Sequence, residues 1–336
     1  MIFIDRRGGA ASALCDSLSG TDYVARLENI IEDATERNCV AMCSSDAALH
    51  TALYLCGATR GDYVFVPSFT FYSYISTVVG CGCVPVFLDC DPVTRCVSPS
   101  ALETAFVWAQ LQNKPPKAVI VDDAFGSVAD YDVLLPLCKA WDVPLIELAC
   151  DAFGGEYKGV PCGANGDLGV LSFSKRISGA GGALLCGDEC GAARGFARLE
   201  YSEGENHDYR LHNALAALDC ALLESADKIS ARARANLAAL VAAADGIAAP
   251  VDGDAAAYAL CKADGVAAEL AYSGFDVKTP PPVHAMPQYR DCAFFEHERG
   301  FDMSSALGGY CLINMDISAP KRMRLVRMLK RMPSRR

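Results

Sequence analysis

Lys175 is the residue whose surroundings most invite chemistry. It sits in the run Leu171-Ser172-Phe173-Ser174-Lys175-Arg176-Ile177-Ser178-Gly179-Ala180-Gly181-Gly182-Ala183-Leu184-Leu185, where one apolar stretch closes and another opens across a glycine-rich turn. Such a run is a plausible seat for a Schiff-base lysine. The small residues let the backbone approach a cofactor, and the Ser172 hydroxyl can hold a phosphate. The same residues also describe a solvated turn carrying a surface lysine, so the elements around them must decide.

Those elements alternate between helix and strand. Residues near 23–37 have helical spacing, and Cys39-Val40-Ala41-Met42-Cys43 is a short apolar strand. Ser44-Ser45-Asp46 then forms a helix N-cap cluster ahead of a helix from Ala47 to Gly57. Tyr63 to Pro67 reads as a buried strand, followed by a helix through Val79, and Val84 to Asp89 as another strand. Pro99 to Ala109 and Val133 to Trp141 read as helices, and Ala118 to Val121, Pro144 to Glu147 and Gly169 to Phe173 as strands. Repeated strand–helix units with short apolar strands imply an α/β fold with a mostly parallel sheet covered on both faces. The pattern turns helical from about Arg194 to Ala244, and the remainder suits a smaller α/β domain, which predicts a large domain over 1–230 and a small one over 231–336. The first residues, Met1 to Arg7, read as a short strand without the order of a signal peptide. Ligands in such a sheet gather at the carboxyl ends of strands, here near Ser44 to Asp46, Glu147 to Asp151 and Ser172 to Lys175.

Composition removes several alternatives. The chain has 336 residues, 52% of them hydrophobic, which is ample for a packed core. A net charge of −11 argues against nucleic acid or an anionic membrane as the main partner. No apolar run is long enough for a transmembrane helix, and a cytoplasmic location is expected. The seventeen cysteines contain no CxxC pair and no partner histidines at ligand spacing, so buried free thiols are expected and no metal site.

Taken together, these segments resemble the DegT/DnrJ/EryC1/StrS family of pyridoxal-phosphate-dependent sugar aminotransferases. The resemblance rests on Cys43-Ser44-Ser45-Asp46-Ala47-Ala48-Leu49-His50, Gly61 to Phe71, Pro85 to Pro92, Lys117 to Ile120 and Pro144 to Glu147. It continues through Gly154 to Gly159, Gly166 to Phe173, Asp208-Tyr209-Arg210-Leu211 and Pro282-Val283-His284. It implies the type I aspartate aminotransferase fold, with a seven-stranded, mostly parallel sheet and a reduced small C-terminal domain. It also implies a homodimer with active sites built across the subunits. Lys175 becomes the Schiff-base lysine and proton shuttle, and Phe71 the residue stacked on the pyridine ring. Ser172, with amides near Ser45 and Asp46, becomes the phosphate holder. Asp208 falls at a position that reaches the partner's cofactor phosphate, Arg210 beside it faces the partner's substrate, and His284 lies on the substrate side. The implied reaction moves an amino group from an amino-acid donor to a nucleotide-linked keto-sugar, in polysaccharide or amino-sugar biosynthesis.

Five departures cluster at the cofactor. Leu148 stands where the family has the Asp that bonds the pyridine nitrogen, and Asp151 stands where it has Gln or His. Asp151 is the expected substitute ring partner and second catalytic group. Asp46 replaces a neutral residue at the phosphate end, and Asp208 replaces an Asn there, each adding a negative charge. One residue separates Phe173 from Lys175 where the family has three, and each missing residue shortens the reach by about 3.3–3.6 Å. These changes predict weakened cofactor binding. They also define an alternative: a degenerate homologue that keeps fold and dimer and serves as a binding or assembly partner.

Overall fold

In the computed structural model, the described residues are 9–18, 20–173, 180–198, 207–223, 226–243, 255, 258–262, 266–279, 281–289, 292, 301–307 and 309–331. Lys175 and the strand expected at residues 1–7 therefore lie outside the described residues.

The apolar runs form the strands the sequence predicts. They are β1 (Asn38–Met42), β2 (Tyr63–Pro67), β3 (Val84–Leu88), β4 (Ala118–Asp122) and β5 (Leu145–Leu148). A hairpin follows, β6 (Glu156–Tyr157) and β7 (Val160–Pro161), then β8 (Leu168–Ser172) and β9 (Gly182–Cys186). Lys158 and Gly159 turn that hairpin with φ of 51° and 87°, the paired positive φ of a tight hairpin turn. Seven of these strands make one sheet in the order β1-β9-β8-β5-β4-β2-β3. Only β9 runs against its neighbours; the other pairings in the sheet are parallel.

Helices cover both faces, and the strand pleat sorts residues between them. On one face Phe65, Val119, Val121, Leu145 and Leu171 pack with α2 (Tyr23–Thr35), α5 (Pro99–Leu111), α6 (Tyr131–Ala140) and α8 (Asn213–Leu223). On the other, Val64, Val66, Ile120, Ile146, Leu148 and Val170 pack with α3 (Ser45–Leu55), α4 (Tyr72–Gly80) and α7 (Cys190–Ala197). α1 (Gly9–Ser17) lies against α8. α3 starts where the sequence indicates: Ser44 is its N-cap, its side chain accepting from Ala47 N at 3.0 Å.

A second sheet, antiparallel in the order β10-β12-β11, follows from β10 (Tyr258–Lys262), β11 (Val277–Lys278) and β12 (Tyr310–Asn314). α9 (Ala226–Val241), α10 (Val266–Tyr272) and α12 (Ala319–Arg331) pack on one of its faces through Leu237, Leu240, Leu270 and Leu325. Tyr258, Leu260 and Leu312 of its other face meet Phe69, Ala124 and Phe125 of the large sheet's loops and Leu307 of α11 (Asp302–Leu307). No described helix is long and apolar enough to cross a membrane.

Gly169 marks the tightest packing in the large sheet. A Cβ there would lie 1.8 Å from the Gly163 carbonyl oxygen, in a loop that Glu147 grips by accepting from Gly163 N at 2.5 Å, Asn165 N at 2.7 Å and Gly166 N at 3.0 Å. Gly169→Ala should lower stability by roughly 3 kcal/mol in a urea titration, because neither backbone can retreat without breaking that grip. Gly195→Ala in α7, where a Cβ meets nothing within 4 Å, should instead be neutral or stabilising by up to about 1 kcal/mol.

Candidate active site

The α3/α4 face of the large sheet gathers its polar residues at the carboxyl ends of the strands. Asp122, the last residue of β4, is in register with Leu148, the last of β5, so their side chains share that face. Leu148 is fully buried in the apolar cluster of the face, and Asp122 is buried beside it. Thr70 Oγ1 donates to Asp122 Oδ2 at 2.5 Å. The next residue, Phe71, is half-buried, edge-on to Phe125 at 4.9 Å and to Tyr74 at 6.3 Å. The Tyr74 phenol is pushed well above its usual range, first by burial and then by Cys150, Asp122 and Asp151. Those three groups therefore converge around it, and Asp151 is itself buried.

Phe125 holds this wall at a conformational cost. Its φ of 59° is in the left-handed region, which a bulky residue rarely occupies. Packing over-determines it: Phe69 and Phe71 each lie 4.9 Å away edge-on and Tyr258 lies 6.3 Å away.

The other end of the face is built for close backbone approach. Ser172 ends β8 opposite Gly182, and Ser44 bridges to Gly181. A Cβ on Gly182 would come within 2.6 Å of both Ser45 N and Leu171 O, so glycine is what lets the α3 N-terminus abut the Ser172 end of β8. First-turn amides of α3 and the Ser172 hydroxyl thus share one corner. Asp46 is half-buried in the same turn and accepts from Thr77 Oγ1 of α4 at 3.4 Å. Phe173 N donates to Gly181 O at 3.0 Å, which anchors both ends of the segment containing Lys175 at this corner.

Asp208 and Arg210 reach the corner too, alongside β1, where Cys43 N donates to Tyr209 O at 2.8 Å and Met42 bridges to Arg210. Arg210 grips Asp208 with two hydrogen bonds, Nε at 2.7 Å and Nη2 at 2.6 Å. The pair is half-exposed, and the guanidinium holds the Asp208 carboxyl down at about 2. The sequence suggests that Asp208 adds a repelling charge, but in this geometry Arg210 neutralises it.

His284 does not join the corner. It contacts Ser68 Oγ through Nδ1 past the end of β2, two strands from β5, and stacks on Phe301 at 4.2 Å. Burial lowers its pKa from the usual histidine range, against the opposing effect of Asp89. Glu147 and Asp123 point to the opposite face. Asp123 accepts from Ala129 N at 3.0 Å and Tyr131 OH at 2.9 Å, and its carboxyl is pushed well up by burial and by Glu147. With Cys162 these two acids bring ligand atoms within 4.8 Å of one another. The N–H groups of the 163–166 loop already point at Glu147 and would repel a cation, so a proton shared with Asp123 suits the cluster better.

Sequence reading missed Asp122, Thr70 and Tyr74. The signal was present for Asp122: strand alternation puts it on the opposite face from Asp123, at the end of the strand next to Leu148.

A mostly parallel seven-stranded sheet with one reversed strand, carrying a helix N-terminus, a serine and an aromatic at its carboxyl edge, has the organisation of type I pyridoxal-phosphate transferases. Residues 14–252 match the model of the DegT/DnrJ/EryC1/StrS aminotransferase family, and the chain belongs to that family. Among its relatives, EpsN of Bacillus subtilis strain 168 is 37% identical over 213 residues, 60% of this chain and 55% of EpsN. The L-glutamine:scyllo-inosose aminotransferase of Streptomyces griseus is 39% identical over 153 residues, 45% of this chain and 35% of that protein. The matched stretches thus span about half or less of those relatives' own lengths. Among solved structures, a DegT DnrJ EryC1 StrS aminotransferase from Brucella abortus superposes with a TM-score of 0.84 at 24% identity, covering 96% of this chain and 95% of that one. Spr1654 from Streptococcus pneumoniae in its PLP form gives 0.84 at 18% identity, covering 97% of this chain and 96% of that chain.

Pyridoxal phosphate is the cofactor of this family, and the chemistry of the corner suits it: the close approach that Gly182 permits brings the α3 N-terminal amides beside Ser172, donors suited to a phosphate, and Phe71 is an aromatic on the same face suited to a ring. Leu148, at the position that the resemblance gives to the ring nitrogen's partner, is buried and offers nothing polar.

The raised carboxyl of Asp123 gives a testable pH dependence. The folded protein keeps that proton above the ordinary aspartate pKa of about 3.9, where the unfolded chain has released it. The contribution of Asp123 to stability therefore falls as pH rises from about 4 until the folded carboxyl ionises. Asp123→Asn, whose amide can donate to Glu147 as the proton would, should flatten the fall when urea midpoints are measured across that range. An unchanged slope would show that Asp123 is not the group responsible.

Proposed function

We propose that the chain is a pyridoxal-phosphate-dependent aminotransferase that acts on a keto-sugar carried on a nucleotide. An amino-acid donor would leave as its 2-oxo acid while the sugar's ketone becomes an amine, a step of amino-sugar or polysaccharide biosynthesis. The observation that carries this reading is the convergence of the α3 N-terminus, Ser172 and Phe71 on one sheet face beside buried carboxylates, in a chain of this family. Bound there, pyridoxal phosphate supplies an electron sink for moving an amino group between carbons. The α3 amides of Ser45 and Asp46 and the Ser172 hydroxyl hold its phosphate, and Phe71 covers one ring face. Lys175 anchors the cofactor and moves the proton, and Asp151 stands near the ring. Support for the substrate class comes from the Streptomyces griseus relative, named for a ketone on a polyhydroxylated ring.

In the same reading the protein is a homodimer whose Asp208–Arg210 pair faces the partner's site, and His284 contributes on the substrate side. Residues 1–230 form the cofactor domain and 231–336 the small one. Seventeen free cysteines, most of them buried, suit the reducing cytoplasm.

Adding pyridoxal phosphate to the purified protein should produce the visible absorbance band of a lysine-bound cofactor. Borohydride should fix that cofactor onto a peptide containing Lys175, and Lys175→Ala should abolish the band. No band at millimolar cofactor would overturn the enzyme and leave a binding or assembly partner in its place.

A further inference from the structure

We infer that Asp122 supplies the carboxylate to the cofactor's ring nitrogen, taking on from β4 the task that the family gives to β5. The inference rests on the aminotransferase reading above. Ring protonation requires a carboxylate at the nitrogen, and Leu148 cannot provide it. In a parallel sheet, residues in register on neighbouring strands present their side chains to the same face, about 4.8 Å apart. Asp122 is in register with Leu148 and ends its strand at the same level. The carboxylate has moved one strand sideways and kept its height and its face.

Three further observations place it on the cofactor side. Asp122 is 2% exposed, buried on the same face as Leu148 and the residues around Tyr74. Thr70 Oγ1 donates to its Oδ2 at 2.5 Å, which fixes the carboxylate next to Phe71, the residue after Thr70 and the one offered to the ring face. It also lies close enough to Tyr74 to raise that phenol's pKa, so it belongs to the group of residues that converges there. Asp151, the other acid of that group, comes three residues beyond Leu148, past the strand end, and has no such register with the ring position. Asp123, its neighbour in sequence, is committed to Ala129 and Tyr131 on the far face.

The test titrates pyridoxal phosphate into the wild-type protein, Asp122→Asn, Asp151→Asn and the double variant Asp122→Asn/Leu148→Asp. The readouts are the dissociation constant and the pH dependence of the bound cofactor's absorbance. Asparagine can still accept from Thr70, and thermal unfolding checks that each variant is folded. Asp122→Asn should weaken binding about tenfold to a hundredfold and shift the absorbance titration, because a charge-assisted hydrogen bond is lost. Adding Leu148→Asp should restore both, which a merely structural role for Asp122 would not allow. Wild-type affinity and titration in a folded Asp122→Asn, or a larger loss in Asp151→Asn, would overturn the assignment while leaving the aminotransferase standing. No binding by the wild type would overturn the aminotransferase reading and this assignment with it.

Discussion

The pleat of a sheet buried on both faces is the constraint on which the rest of this structure depends. In β4, β5 and β8 every residue is buried, so no side chain can escape to solvent by choosing a face. Alternation alone decides which cluster a residue joins. It sends Asp122 and Leu148 to the α3/α4 side, and Asp123 and Glu147 to the side of α2, α5, α6 and α8. Two adjacent aspartates thereby enter unrelated environments: Asp122 meets a threonine at the edge of the candidate site, and Asp123 meets a tyrosine and a second acid inside the core. Glu147, despite its place in the family motif, is an anchor. Its carboxylate ties down the 163–166 loop, which the absence of a side chain at Gly169 allows to press against β8.

Charge at the phosphate corner follows from geometry that no single position reveals. Counted from the sequence, Asp46 and Asp208 make the corner doubly unfavourable for a dianion. In the fold Asp208 is locked to Arg210, two residues on, and its charge is cancelled locally. Asp46 remains in the first turn of α3, where a carboxylate stabilises the helix and competes for the positive end of its dipole. A phosphate bound at this corner would therefore meet one acid of the pair, Asp46, at the helix terminus, with the α3 amides and Ser172 as its donors.

The fold was legible because each apolar run is short, bounded by turn residues and followed by a helical period. β2, β3, β4 and β5 fall within a residue or so of where the pattern puts them. Phe71, Ser172 and the α3 N-terminus stood out through family motifs, and the structure places them on one face of the large sheet. What the linear pattern does not carry is lateral register. Asp122 matters because of what lies beside it on β5, and the sequence separates those two residues by a helix and two loops. His284, in its intact motif, lies beyond the end of β2 in contact with Ser68 and Phe301, apart from the corner that Ser172 and the α3 N-terminus make. The reach of Lys175 lies outside the described residues, while the anchored ends of its segment, Phe173 and Gly181, are in place.

The second sheet adds a cation beside the aromatic wall of the candidate site. Lys278 of β11 places its ammonium 5.4 Å from the centre of the Phe71 ring and 5.1 Å from that of Tyr258, and donates to Tyr258 OH at 3.0 Å. A cation in contact with two aromatic faces is held by them as well as by the hydroxyl. It therefore stands beside the residue that would cover the cofactor ring, in a site whose buried acids are Asp122 and Asp151. Phe125 links the two units, touching Phe69 and Phe71 on one side and Tyr258 on the other at its strained backbone angle. Through Tyr258 and Lys278 the second sheet packs against Phe125 and Phe71, and those contacts are what it adds to the candidate site.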